Sequence, residues 1–137
     1  MIFLDTNVLS ETLRKAPSEA VISWLVRHDS ELALPTVTIA EIAFGIQKIL
    51  PDQRALRLER GLSDWRRRFA DRIFGLTEEA AMAYGEIMGT ATRQGSIMSA
   101  PDGMIAAIVR VNGGRLATRN VTDFSTTGLD LISPWER

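Results

Sequence analysis

The sequence has no cysteine and a single histidine, His28. The first absence excludes disulfides, thiolate-bound zinc and a cysteine nucleophile. The second leaves little room for a histidine-based metal site or a histidine-containing triad. There is no excess of charge of either sign: Lys and Arg number 16, Asp and Glu 17, for a formal net charge of −1. No global basic field therefore draws the chain to nucleic acid or to an anionic membrane, and any such contact must rest on a local basic cluster. Long apolar runs are missing as well. Asp5 interrupts the apolar N-terminus, and nothing approaches the ~18 uncharged residues that a spanning helix needs. Internal repeats, low-complexity segments and linkers are likewise missing. The expectation is a soluble, cytoplasmic protein with no membrane partner. What remains is ordinary globular material, 45% hydrophobic and 24% charged. A chain of 137 residues is expected to form one domain over 1–137 with a real core.

Short apolar runs alternate with helical patterns along the chain. Strands are expected at Ile2-Phe3-Leu4, Leu32-Ala33-Leu34, Arg72-Ile73-Phe74, Arg115-Leu116-Ala117-Thr118 and Leu129-Asp130-Leu131-Ile132. A first helix follows Asp5 to about Arg14-Lys15, where Pro17 ends it. Ser18 caps a second that runs to His28. Thr36 or Thr38 opens a third, with Val37, Ile39, Ile42, Ile46 and Ile49 as its apolar stripe and Pro51 as its stop or as the first turn of the next. Residues 52–70 form a charge-rich helix that Gly61 weakens without ending. Two more helices run from Thr77 to Arg93 and from Ser99 to Asn112. Strands alternating with helices predict an α/β fold with a mostly parallel sheet covered on both faces.

The organising stretch is Met1-Ile2-Phe3-Leu4-Asp5-Thr6-Asn7, a buried strand with an acid at its carboxyl end. Ligands of open α/β sheets bind just outside the carboxyl ends of the strands. Asp5 there is either a helix cap or a chemical group, and alone it does not say which. Glu41 adds to the case. Its helical neighbours at three and four residues are Val37, Thr38, Phe44 and Gly45, none of which carries a charge, and Lys48 lies roughly 10 Å along the axis. Asp102 opens a helix whose same face continues as Ile105 and Ala106, where the helix dipole alone would also favour an acid. Asp123 follows the strand at 115–118, where a turn is an equal reading. Each acid has an ordinary explanation; the set is harder to explain away. Strand ends on one side of a parallel sheet converge on one crevice, and like charges gathered there oppose folding unless a cation is present. Oxygen donors without His or Cys suit a hard cation, Mg²⁺ or Mn²⁺. Such an ion makes a nucleophile of water and stabilises charge on a phosphoryl oxygen, so the chemistry best served is phosphodiester hydrolysis.

Four segments occur in order: Ile-Phe-Leu-Asp5-Thr6-Asn7-Val-Leu, Ala40-Glu41-Ile-Ala-Phe-Gly45, Pro101-Asp102-Gly-Met-Ile-Ala-Ala and Ala117-Thr118-Arg119-Asn120-Val-Thr-Asp123-Phe124. Order and spacing together resemble the PIN-domain ribonucleases, in particular the VapC toxins of toxin–antitoxin pairs, over nearly the whole chain. The resemblance implies a three-layer α/β/α domain that cuts RNA with Mg²⁺ or Mn²⁺. Asp5, Glu41 and Asp102 match three acids of the family's metal site. Members differ in whether the fourth stands where Asn120 is or where Asp123 is. Asn120 cannot be an anionic ligand, so Asp123 is the expected fourth, with Thr6 and Asn120 as neutral supporting members. The resemblance also implies a cognate antitoxin that blocks the cleft, a toxin homodimer, and operator DNA bound only through the antitoxin.

RNA would be held by local cations, with Arg119, Arg115 and Arg93 as candidates and Arg66-Arg67-Arg68 as either a fourth or a solvated helix face. Trp24, Trp65, Trp135 and the methionines are expected to pack in the core. Removing the charge of Asp5 is expected to leave the melting temperature unchanged or raised. Two other readings stay open. A haloacid-dehalogenase-like phosphatase also starts with a strand ending in Asp, but needs a second Asp where Asn7 stands. A binding module would act on DNA through a partner, with cleavage secondary.

Overall fold

Strands of two to four residues cannot hold together by themselves; they persist only between layers that bury both faces. The computed structural model describes residues 1–136. It runs β1 (Ile2–Leu4), α1 (Thr6–Thr12), α2 (Glu19–Arg27), β2 (Leu32–Pro35), α3 (Thr36–Ile49), α4 (Arg54–Arg68), β3 (Ile73–Phe74), α5 (Glu78–Arg93), α6 (Ala100–Val111), β4 (Arg115–Ala117) and β5 (Leu131–Ile132). Short 3-10 turns lie at Asp29–Glu31, Ala70–Arg72 and Val121–Phe124.

The strands form one sheet in the order β3-β2-β1-β4-β5, and every pairing is parallel. The expected mostly parallel sheet is thus entirely parallel. Side chains of β1 alternate between its faces. Ile2 and Leu4 join a core with Val8 and Leu9 of α1, Val21 and Leu25 of α2, Ile42 and Ile46 of α3 and Leu62 of α4. Phe3 points the other way, into Ala83 and Ile87 of α5 and Ile105 and Ile108 of α6. Four helices therefore cover one face and two the other, giving three layers.

The order of the strands sets where a ligand can bind. The chain steps from β1 outward to β3, then crosses back to β4 beside β1 and steps outward to β5. The direction reverses between β1 and β4, where Leu4 pairs with Ala117. The crevice outside the carboxyl ends of these two strands is the topological switch point. Asp5 and Thr118 are the next residues on each strand.

Local chemistry explains most element ends. Asp5, Ser18, Thr77 and Ser99 each cap a helix, accepting from the backbone N–H of Thr6, Val21, Ala80 and Asp102. Several boundaries differ from expectation by a few residues. Helix α4 starts at Arg54 rather than at Pro51, and β5 holds only Leu131 and Ile132, leaving Leu129 and Asp130 outside. Of the two threonines able to open α3, Thr36 begins it. Thr38 is fully buried and donates its hydroxyl to the Leu4 carbonyl at 2.9 Å. Gly61 leaves α4 unbroken, and its missing Cβ makes room for Leu13 at the end of α1. Trp24 is buried, while Trp65 and Trp135 pack half-buried against the same core, Trp65 donating to Thr12 Oγ1 at 3.0 Å. Met82 departs from the packing expectation, being 73% exposed on α5. No described helix is long and apolar enough to cross a membrane.

The Thr38–Leu4 bond ties the helix carrying Glu41 to the strand ending at Asp5. Thr38→Val keeps the shape but removes the donor, and should lower unfolding free energy by about 1–2 kcal/mol in urea titration with an unchanged m-value. Wild-type stability in that variant would mean apolar packing alone holds the entry of α3.

Candidate active site

Asp5 is almost fully buried in the crevice, 4% exposed. A carboxylate so buried needs donors, and it has three. Its Oδ1 accepts from Thr6 N at 2.8 Å; its Oδ2 accepts from Thr118 Oγ1 at 2.7 Å and from Asn7 Nδ2 at 3.2 Å. The capping role and the chemical role are not rivals, because capping uses one lone pair of Oδ1 and leaves the other free. Asn7 is a bridge: besides donating to Asp5, its Oδ1 accepts from the backbone N–H of Arg119 at 3.1 Å. Thr118 is fully buried and its hydroxyl also accepts from Asn120 N at 3.0 Å.

Around Asp5 opens a cavity of about 490 Å³ lined by Thr6, Asn7, Ser10, Glu11, Arg14, Glu41, Asp102, Arg119 and Asn120. Three of the expected acids, Asp5, Glu41 and Asp102, thus line one space from three distant parts of the chain. Glu41 is brought in by α3 and receives a hydrogen bond from the Thr6 hydroxyl. Asp102 stands in the first turn of α6, its N–H capped by Ser99 Oγ at 3.2 Å. Asp123 is exposed in the 3-10 turn after β4 and does not line the cavity, although its charge is felt at Asp102.

The electrostatics are those of unneutralised acids. Burial pushes the Asp5 carboxyl above its ordinary value, opposed by the hydrogen bonds from Thr118 and Thr6 and reinforced by the charge of Glu41. Burial also pushes Asp102 up, to about 6, with Asp5, Glu41 and Asp123 adding repulsion against the pull of Ser99. Among the described residues, none of these four carboxylates is in an ion pair. No three of them stand as a ready-made cage for an ion either. An all-oxygen set spread around a cavity, with a free lone pair on Asp5, fits a hard cation that keeps several waters. Mg²⁺ is usually held that way, through one or two carboxylates.

The arginines divide. Arg119 lines the cavity, its guanidinium 5.0 Å from the centre of the Trp135 ring. Arg115 and Arg93 are not brought there. Arg115 is at the amino end of β4, paired with Asp130 at 2.7 Å, and Arg93 ends α5, donating to Thr90. Arg67 and Arg68 are paired with Asp64 and Asp29. Sequence reasoning missed Glu11 and Arg14. Glu11 is 4% exposed, accepts from Ser18 N at 2.8 Å and holds Arg14 at 3.2 Å. Their spacing of three across the end of α1 was the available signal.

Comparison with known proteins follows this geometry. A family model described as PIN domain matches residues 2–128. The chain is 34% identical to VapC ribonuclease Y4jK of Sinorhizobium fredii, over 99% of each. It is also 34% identical to Toxin FitB of Neisseria gonorrhoeae, over 98% of this chain and 99% of that one. A solved structure of FitAB bound to an IR36 DNA fragment superposes with a TM-score of 0.88 at 34% identity, covering 100% of this chain and 97% of that one.

The raised acids have a measurable consequence. A carboxyl lifted from 3.8 to about 6 keeps its proton in the folded state where the unfolded chain has lost it. Its contribution to stability is whole below pH 4 and is lost as pH rises through 6. In metal-free buffer Asp102→Asn should therefore melt roughly 2–4 °C above wild type at pH 7.5, the gap closing at pH 4. Asp5→Asn is different. Whichever way the new amide turns, its nitrogen faces a donor, Thr6 N–H on one side or Thr118 and Asn7 on the other, so the melting temperature should fall, contrary to the expectation from charge alone. A wild-type pH–melting profile in Asp102→Asn would contradict the shared-repulsion account.

Proposed function

The chain belongs to the PIN-domain family, with VapC-type toxins among its relatives, and we propose that it is a metal-dependent endoribonuclease acting as the toxin of a toxin–antitoxin pair. The observation that carries this reading is the convergence of Asp5, Glu41 and Asp102 on one cavity, none of them held in an ion pair among the described residues. Residues 1–137 form one nuclease domain in this reading, acting on cellular RNA and so in the cytoplasm. Asp5 and Asp102 would hold a Mg²⁺ or Mn²⁺ ion with Glu41 beside them, and Asp123, outside the lining, would contribute through its charge or a bridging water. The ion supplies charge to the phosphoryl oxygens and lowers the pKa of water at the scissile phosphodiester.

The chain's own residues prepare that event. The Thr6 hydroxyl fixes Glu41 facing the cavity. Thr118 and Asn7 hold Asp5 in one orientation, and Asn7 anchors the Arg119 backbone beside it. Asn120 is a neutral member of the lining. Arg14, 63% exposed and held by Glu11, and Arg119, laid on Trp135, offer guanidinium donors to RNA phosphates next to the acids. Asn7 also weighs against an acyl-phosphate route. It stands where a dehalogenase-like phosphatase needs an acid/base Asp, and its amide is committed on both sides.

The name Toxin FitB and the FitAB–DNA structure support a cognate antitoxin as partner, with operator DNA reached through the antitoxin. A net charge of −1 supports the same division, since this chain has no global basic field of its own. A homodimer completes the reading; Phe44 on α3 and Met82 on α5 are large apolar side chains left exposed for it.

The test is incubation of the purified protein with total RNA and Mg²⁺ or Mn²⁺, mapping new 5′ ends. Cleavage should stop in excess EDTA and fall by about 100-fold or more in Asp5→Asn and Asp102→Asn. Full activity under either condition overturns the proposal, and tight DNA binding in the antitoxin complex, without RNA cleavage by the free protein, would favour a binding module.

A further inference from the structure

Gly45 lies inside α3, where glycine is the least favourable residue after proline. Two ordinary reasons for a helical glycine do not apply. Its φ is not positive, unlike that of Gly95, Gly113 and Gly128. Nor does a neighbour crowd it: a Cβ built there meets no heavy atom within 4 Å, whereas one at Gly61 would strike Leu13. The fold would accept alanine here and gain from it.

The open space beside Gly45 is a cavity of about 310 Å³ walled by Ile42, Ile46, Ile49 and Leu58. Thr6, Ser10 and Glu41 line it too, and the same three line the acidic cavity, so the two spaces adjoin across them. Arg54 and Arg57 complete the lining. Arg54 is held by Asp52 at 3.0 Å, while Arg57 makes no ion pair among the described residues. An aliphatic wall, an unpaired guanidinium and a direct join to the carboxylates are three separate features, and one ligand chemistry uses them all.

We propose that this cavity is a nucleotide subsite, taking the residue of single-stranded RNA next to the scissile phosphate. The base lies against Ile42, Ile46 and Leu58 over Gly45, and the following phosphate meets Arg57. The proposal rests on the ribonuclease reading of the adjoining site. The volume is at the small end of ligand pockets, which run from roughly 300 to 1,000 Å³, and suits one base rather than a duplex. A base enters such a space only when unstacked, which restricts the substrate to loops, ends and other single-stranded stretches. Among the described residues no aromatic ring lines the cavity, so the base is held by aliphatic contact, which any base can make. The arginines favour a polyanion over the other occupant of comparable size, a segment of a protein partner.

Gly45→Leu fills the cavity, Gly45→Ala fills it partly, and Arg57→Gln removes the phosphate donor. Cleavage of a single-stranded oligoribonucleotide is measured for each. RNA binding by fluorescence anisotropy is measured in the Asp102→Asn background, where no chemistry intervenes. Gly45→Leu should melt at or above the wild-type temperature yet lose tenfold or more in kcat/KM and in RNA affinity, with Gly45→Ala intermediate. An oligonucleotide lacking the base next to the cut should be handled alike by wild type and Gly45→Leu, which a disturbance of Glu41 would not produce. Arg57→Gln should flatten the salt dependence of binding by about 0.7 in log–log slope, and Arg57→Lys restore it. Wild-type cleavage and binding in both Gly45 variants would overturn the subsite while leaving the nuclease reading intact. So would a Gly45→Leu variant that cuts RNA normally and loses only its inhibition by antitoxin, since the cavity would then be the partner's. A wild-type protein that cuts no RNA with either metal removes both.

Discussion

A carboxylate buried at the end of the central strand is the constraint on which the rest of this structure turns. Burying an ionised acid is costly unless hydrogen bonds and a counter-charge offset it. Here the hydrogen bonds are present, but no cationic side chain is paired with the acid among the described residues. Asp5 draws Thr6, Asn7 and Thr118 to itself, and in doing so ties the start of α1 to the exits of β1 and β4. The remaining deficit is carried by the cavity, where Glu41 and Asp102 raise rather than relieve it. The folded state therefore gains from whatever neutralises this point, a proton or a divalent ion.

Everything that brings acids to Asp5 is anchored in the rigid part of the molecule. Strand β1 is buried on both faces between two separate cores, one under α1–α4 and the other under α5 and α6. Helix α3 is pinned to β1 through Thr38, which sets where Glu41 emerges; Ser99 fixes the first turn of α6, which sets Asp102. Both layers of helices thus contribute to a site that neither could build alone. Around it the signs alternate. Acids lie at the floor, and Arg14 and Arg119 stand in the same lining, each held by a side chain of its own, Glu11 and Trp135. A surface that is neutral overall presents a locally ordered pattern of charge, which suits a substrate whose phosphate must meet both a metal and an arginine.

Much of the fold was legible because strand and helix periods differ. Short apolar runs between helical stripes marked every strand of the sheet, and Ser18, Thr77 and Ser99 marked three helix starts. The misjudged boundaries, at Pro51 and at Leu129-Asp130, fell where turn chemistry competes with the pattern. The acids were less legible one by one. At Asp5 the capping role and the chemical suggestion are both present in the same side chain, so no choice between them could have been made from one residue. Only their joint occurrence along the chain, near strand ends and helix starts, carried information.

Composition and periodicity determined the class of fold, the parallel sheet, the all-oxygen donor set and the list of acids. They could do so because helix stripes, strand alternation and residue chemistry are local properties. Tertiary structure alone decided which residues share a space. Arg115 and Arg119 are four residues apart, yet a strand's direction puts one at each end of the sheet, roughly 13 Å apart, and only Arg119 meets the acids. Glu11 and Arg14 join the site because α1 starts at Asp5 and runs along the cavity, and Gly45 and Gly61, the same residue in two helices, face open space and a packed side chain respectively. The reason is that register and crossover fix distances between residues far apart in sequence, and no local pattern encodes them.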